Sequence, residues 1–310
     1  MKSTEENLEQ VNKVKIEELD WILGTKFKVL DDGFVRVVDY MGGDESIVQA
    51  ARVSYGKGTK LVSEDRGLIR YLLRNFHTTP FEMCEIKLHL RVPMDTWRQW
   101  IRHRTANVNE YSTRYSIAID ASQKTEPGEW RRQAADNKQG SAGFFDESDG
   151  EELTRRESEL QQLAREIYQE RIQLGVAREQ ARKDLPLSTY TEAYWKIDLH
   201  NLLNFLALRM DQHAQFEIRS YASVIGNEIV SKWCPFAWEA FKDFRINSTS
   251  FLSYEMALLK DIISGNKESA VKTAEALGWL KRKETRLAHH RERTGFEAKL
   301  KALGLIVPWE

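Results

Sequence analysis

EIKLHLRVPMDTWRQWIRHR, residues 85–104, contains both kinds of secondary structure that the chain uses, one directly after the other. Ile86, Leu88, Leu90 and Val92 alternate with polar residues, the period of two that marks a strand with one buried face. Pro93 then suits the first turn of a helix, and Trp97 and Ile101 fall four apart on one helical side. A strand running straight into a short helix delivers the next segment, RHRTANVNEYSTRY (102–115), to a defined place.

Working outward, KFKVLDDGFVRVVDYMG sets Asp32-Gly33 between apolar runs, a tight turn joining two strands. SIVQAARVS and SEDRGLIRYLLRNF read as helices. The second has Ser63 as its expected N-cap and Leu68, Ile69, Leu72, Leu73 and Phe76 as its apolar face. HTTPFE reads as a loop, with Thr79 pushed toward extended geometry by the following proline. Residues 1–26 form a polar arm, and 120–152 a long surface loop without periodicity. A helix over 155–174 has Leu160, Leu163, Ile167 and Tyr168 inward and ends at Gly175. A shorter helix through Arg178 and Arg182 stops at Pro186, and Glu192 to about Lys232 reads as helical again. Residues 246–310 form a helical extension, with Gly265 and Gly278 between three helices and His289-His290 on solvated surface. The fold class is α+β (mixed α/β), a small antiparallel sheet with many helices rather than a βαβ alternation. GxGxxG and GxxxxGK[ST] do not occur, which argues against a Rossmann or P-loop nucleotide site.

Lys plus Arg (46) balance Asp plus Glu (47) over 310 residues, so no global basic field exists for wrapping nucleic acid. No run approaches the roughly 18 apolar residues of a membrane span, and the charged N-terminus lacks a signal peptide's apolar core. A cytoplasmic protein is expected. Cys84 and Cys234 are too few for a disulfide framework or a zinc site, and read as inert thiols.

Anion recognition must therefore come from local clustering, and Arg102, His103, Arg104 and Arg114 supply it. Successive helical side chains diverge by about 100°, so Arg102, His103 and Arg104 must address different groups. Guanidinium is the preferred partner of phosphate. Asn109, Ser112 and the small Thr105-Ala106 pair add amide, hydroxyl and close backbone approach, a mixture suited to a nucleotide. A solvated basic patch would explain the charges but not the polar residues among them. In DLHNLLNFLALRMDQHAQFE, Leu199, Leu202, Leu203, Leu206 and Met210 make a core stripe, with Arg209 at its edge and His213 within it. Such a pair marks a site or a structural network. Asn204 points to the opposite side, so two pockets or two subunits are implied. Trp97 and Trp100 suit packing better than stacking on a ligand.

RHRTANVNEYSTRY closely resembles the signature of the flavin-dependent thymidylate synthases, RHRxxSxNExSxRY, with Asn107 in place of the motif serine. ARVSY around Ser54, HTTPFE, RQW and NFLALRMDQHAQFEI resemble further family segments in family order, over roughly residues 27–245. The loop after Asp120 is longer than in compact members. The resemblance implies a homotetramer that converts dUMP to dTMP with FAD, NADPH and methylenetetrahydrofolate. It assigns Gln99, Trp100, Arg102, Glu110, Tyr111, Ser112, Thr113, Arg114, Arg182 and Arg209 to dUMP. It assigns Ser54, His77, Thr79, Arg102, His103, Arg104, Glu110, Asp198, His200 and Asn204 to the flavin; some members carry Asn and Arg at the positions of Asp198 and His200. Because neither cysteine lies in a motif, Arg209 is the expected activating group. Two rivals stay open on sequence: a non-catalytic nucleotide- or nucleic-acid-binding module, and a flavin oxidoreductase that transfers no carbon.

Overall fold

The computed structural model describes residues 13–53, 62–134, 140–283 and 286–309. They divide between two compact units, Met1–Ile246 and Asn247–Glu310. No helix among the described residues is long and apolar enough to cross a membrane.

The first unit is built on a five-stranded sheet of order β1-β2-β3-β7-β4, antiparallel at every pairing. Its strands are β1 (Lys26–Val29), β2 (Gly33–Met41), β3 (Glu85–Pro93), β4 (Asn107–Glu110) and β7 (Tyr190–Asp198). Between β4 and β7, a separate hairpin pairs β5 (Arg131–Gln133) with β6 (Ser141–Phe144). The turn from β1 to β2 puts Leu30 at φ 58 and brings Gly33 against the core, where a Cβ would lie 1.9 Å from the Tyr221 hydroxyl. Only glycine fits there.

Helix α1 (Glu17–Asp20) precedes the sheet, and α2 (Asp44–Val53) and α3 (Val62–Arg74) separate β2 from β3. Then come α4 (Met94–Trp100), α5 (Glu147–Gln173) and α6 (Arg178–Ala181). After β7 follow α7 (Leu199–Arg209), α8 (Phe216–Val224), α9 (Ser231–Trp233) and α10 (Pro235–Phe241). Ile86, Leu88, Leu90 and Val92 are fully buried, as the alternation requires. Beneath them Trp100 sits edge-on to Trp195 at 5.2 Å and tilted on Phe205 at 4.8 Å. Aromatic burial at this density dominates the core energetics.

Several expectations are corrected. Residues 190–198 are strand rather than the start of a helix. Thr191, Ala193, Trp195 and Ile197 turn inward with a period of two, and β-branched and aromatic side chains suit a strand held between two partners. The 120–152 stretch is not one structureless loop: it holds the hairpin, a 3-10 turn at Pro127–Glu129 and the start of α5. On α5 Leu160 and Leu163 face outward, while Gln161 and Tyr168 are buried and bond to the backbone of Gln123 and Ala118. Phe76 lies beyond the end of α3 and is exposed, and Ile101 is exposed just past α4. Thr79 opens a 3-10 turn, Thr79–Met83, instead of an extended loop. The described part of the polar arm holds α1, with Leu19 fully buried and the backbone N–H of Ile16 donating to the Tyr40 hydroxyl at 2.9 Å. The expected cap Ser63 lies where no side chain is described.

The second unit packs α11 (Ser253–Ile263), α12 (Lys267–Ala276), a hairpin of β8 (Arg282–Lys283) and β9 (Arg286–Leu287), and α13 (Arg291–Ala302) around Trp279. His290 is not merely solvated: its Nδ1 accepts from the Arg293 N–H at the start of α13.

Asp44 accepts the N–H groups of Phe236 (2.7 Å) and Ala237 (3.1 Å) at the start of α10, and burial pushes its carboxyl up to about 6. A raised folded-state pKa means that the folded protein holds this proton more tightly. The associated stability is present below about pH 4, the unfolded value, and is lost as pH rises through about 6. Asp44→Asn, which keeps one acceptor for the helix end, should flatten the stability curve between those limits in denaturant titrations.

Candidate functional site

The basic segment begins where α4 ends. Residues 101–106 turn, and β4 then pairs with β7 in the register Asn107↔Lys196 to Glu110↔Ala193. β4 is the outermost strand, so its four side chains are exposed. The Tyr111 N–H donates to the Glu192 carbonyl at 2.8 Å and extends the pairing by one residue, after which Ser112–Tyr115 form a turn.

This path aims Glu110, Ser112 and Arg114 into a pocket of about 500 Å³, opposite Arg182 and Lys183 and beside Tyr190. Thr191 donates its hydroxyl to the Glu110 carboxylate at 2.9 Å. Arg182 donates to the Thr113 hydroxyl from the 3-10 turn Arg182–Asp184 and lines the pocket. Arg114 lies 3.3 Å from Glu179, both half exposed, a weak ion pair that a ligand anion can displace. Tyr111 lines the pocket but spends its hydroxyl on the Ile117 carbonyl.

Arg209 is the last residue of α7, and its Nε donates to His103 Nε2 at 3.0 Å. Phe205 covers the His103 ring edge-on at 4.9 Å. Burial first, and the Arg209 charge second, push the His103 pKa down to about 4. At neutral pH the imidazole is therefore uncharged, with Nε2 accepting and the proton on Nδ1. Burial also lowers the Arg209 pKa, yet a guanidinium stays charged. Arg102 and Arg104 are exposed and make no ion pair among the described residues.

Two expected members are displaced. Trp100 is wholly buried among Trp195, Phe205 and Tyr221, so its side chain supports the site from below and cannot touch a ligand. His213 is not on the α7 core stripe: the helix stops at Arg209, and His213 is exposed in the following turn, paired with Asp211 at 2.8 Å. Gln99 donates to the Gln215 side chain.

The remaining residues lie elsewhere. His77 and Thr79 line another pocket, of about 300 Å³, where His77 stacks on Tyr71 at 5.8 Å. His200 and Asn204 bond to each other at 3.2 Å on the exposed side of α7. Asp198 caps that helix, one carboxylate oxygen accepting from the Asn201 backbone (2.9 Å) and the other from its side chain (2.8 Å). Ser54 lies outside the described residues. Thr191, Tyr190 and Lys183 were missed by sequence reading. The period of two in YTEAYWKID was the available signal for the first pair; nothing distinguished Lys183.

The Thy1 family, thymidylate synthase complementing protein, matches residues 36–236. A flavin-dependent thymidylate synthase of Wolbachia pipientis wMel is 50% identical over 257 residues, covering 83% of this chain and 90% of that protein. One from Rickettsia typhi is 48% identical over 275 residues, covering 82% and 91%. Among solved structures, the UMP/dUMP methylase PolB from Streptomyces cacaoi bound with 5-Br dUMP superposes with TM-score 0.64 at 31% identity, covering 71% of this chain and 98% of that one.

The Arg209–His103 contact makes a spectroscopic prediction. Arg209→Ala removes the smaller of the two causes, so the His103 midpoint, followed by NMR, should rise from about 4 yet stay below 6.5. An unmoved midpoint would mean that the imidazole does not feel the guanidinium.

Proposed function

The chain belongs to the flavin-dependent thymidylate synthase (Thy1) family, and on that premise we propose how its own residues methylate dUMP. The net reaction converts dUMP, methylenetetrahydrofolate, NADPH and a proton to dTMP, tetrahydrofolate and NADP⁺ with FAD as cofactor. The observation that carries the proposal is the charged Arg209 held against a neutral His103.

Uracil is inert at C5 until electron density is raised there. Cysteine-dependent thymidylate synthases achieve this by adding a thiolate to C6. Here Cys84 and Cys234 are both buried, and burial pushes the Cys234 thiol far up, so neither is a nucleophile. A fixed cation facing the pyrimidine instead stabilises negative charge at N3 and O4 and leaves C5 nucleophilic. Arg209 fills that role, and His103, uncharged, orients the guanidinium without competing for the anion. Ser112, Arg114 and Arg182 hold the phosphate, with Gln99, Arg102 and Glu110 as further contacts to dUMP. Ser112 acts as a binder: no base lies against its hydroxyl among the described residues, and its oxygen accepts the Arg114 N–H.

FAD needs cations for its pyrophosphate and an uncharged, partly apolar shelf for its ring. Arg102 and Arg104, without an ion pair among the described residues, neutral His103, and the Tyr71–His77 stack beside Thr79 and Met83 fit that description. These residues would hold FAD, together with His200 and Asn204, and the chemistry that FAD supplies when bound is hydride transfer. Asp198 would act through the α7 start that it caps.

Within one chain, His77 and Thr79 line one pocket while Glu110, Ser112, Arg114 and Arg182 line another, and Arg209 lines neither. A homotetramer that completes each site from several copies accounts for this and for the outward Leu160, Leu163 and Leu174 of the α5 region, exposed by 61%, 54% and 74%. A cytoplasmic location follows from the substrates.

A dUMP-dependent assay for dTMP, with UMP as the comparison substrate, tests the reading. Arg209→Ala should lower kcat by about a hundredfold or more while the protein keeps its flavin absorbance; full activity would remove the electrostatic role. The Cys84→Ser, Cys234→Ser double variant should retain turnover once folded, and its specific loss at wild-type stability would restore a thiol mechanism.

A further inference from the structure

A pocket of about 390 Å³ lies between the β5–β6 hairpin and the turn joining α7 to α8, and the activity derived above makes no use of it. Its wall contains Arg131, Arg132 and Arg219, with His213, Gln215 and Phe216 beside them. Among the described residues no Asp or Glu lines it, although acids outnumber Lys and Arg in the chain as a whole. The cations are also held in place. Arg131 donates to the buried Glu217 at 2.5 Å and lies 5.3 Å from the Phe216 ring centre. Arg219 lies 5.9 Å from the same ring centre and donates from Nη1 to the Gln212 carbonyl at 2.6 Å. Arg132 rests on Phe145 at 4.3 Å, with Asp146 no closer than 4.0 Å, and its side chain remains 47% exposed. Phe216 is itself 37% exposed, so part of the aromatic side chain stays accessible amid the positive charge.

We propose that this pocket is a subsite for an aromatic group that carries an anion, held with its ring at Phe216 and its charge on Arg132 and Arg219. Guanidinium pairs equally with carboxylate and phosphate, and a flat ring beside it gains from stacking. The pocket adjoins the proposed substrate site through Gln215, which accepts from Gln99. Two co-substrates carry this chemistry: the aminobenzoyl-glutamate end of the folate, with its carboxylates, and the phosphorylated adenosine end of NADPH. Naming them rests on the function proposed above. The affinity of the pocket for an aryl anion does not.

The test is calorimetric titration of the full chain with tetrahydrofolate and, separately, with NADPH, for the wild type, Arg132→Ala, Arg219→Ala and the double variant. Loss of the charge-assisted contacts should raise Kd about tenfold or more for one ligand, with the melting temperature and dUMP affinity unchanged. A rise for tetrahydrofolate alone assigns the pocket to carboxylates; a rise for NADPH alone assigns it to phosphate. Equal Kd values in wild type and double variant for both ligands, or no binding of either by the wild type, overturns the proposal. Should the double variant fail to fold, Arg132→Ala alone decides, because that side chain sits on an exposed hairpin. Binding without dTMP formation would sink the proposed function and leave the pocket standing, while dTMP formation with unshifted Kd values would do the reverse.

Discussion

The pairing of β7 with two neighbours at once is the constraint on which the rest of this molecule hangs. β3 fixes one side of it over the full strand, and β4 borrows the other side. Trp195 and Ile197 anchor β7 in the core, while Tyr190 and Thr191 at its start line the pocket that also holds Ser112 and Arg114. At its far end Asp198 closes the strand and caps α7, the helix whose last residue is Arg209. One strand therefore sets the height of Glu110, through Thr191, and the origin of the helix that carries the guanidinium. A register slip of a single residue would turn Thr191 away and send Trp195 toward solvent.

Electrostatics inside the site follow from what covers it. Phe205 and the aromatic cluster below it shield part of His103 from water, so an imidazole next to a cation remains a hydrogen-bond acceptor rather than a second positive charge. In water two such groups would barely sense each other. In a low-dielectric setting the neutral form wins, and the charge of Arg209 stays undivided.

The sequence was most legible where one periodicity ruled. Ile86 to Val92 alternate without a break, and the basic motif declared its chemistry by composition. YTEAYWKID was harder because its inward residues include Thr191 and Ala193, which register weakly as hydrophobic, and because a strongly helical stretch follows without a break. Leu160 and Leu163 misled for the opposite reason: apolar side chains at helical spacing face outward, and a buried Gln161 with a backbone partner takes the inward place. Trp100 and Tyr111 stand inside the motif region yet serve packing and a turn, a distinction that exposure and hydrogen bonding reveal and spelling does not.

β4 is short, polar at three of its four positions, and outermost in the sheet. Its free backbone edge is a template for any stray strand, and long apolar edges nucleate aggregation. Asn107, Asn109 and Glu110 leave only Val108 to attract such a visitor. The polarity of the segment thus leaves a stray strand little apolar surface to pair on. Engineering it toward β-branched residues for rigidity would exchange solubility for stiffness.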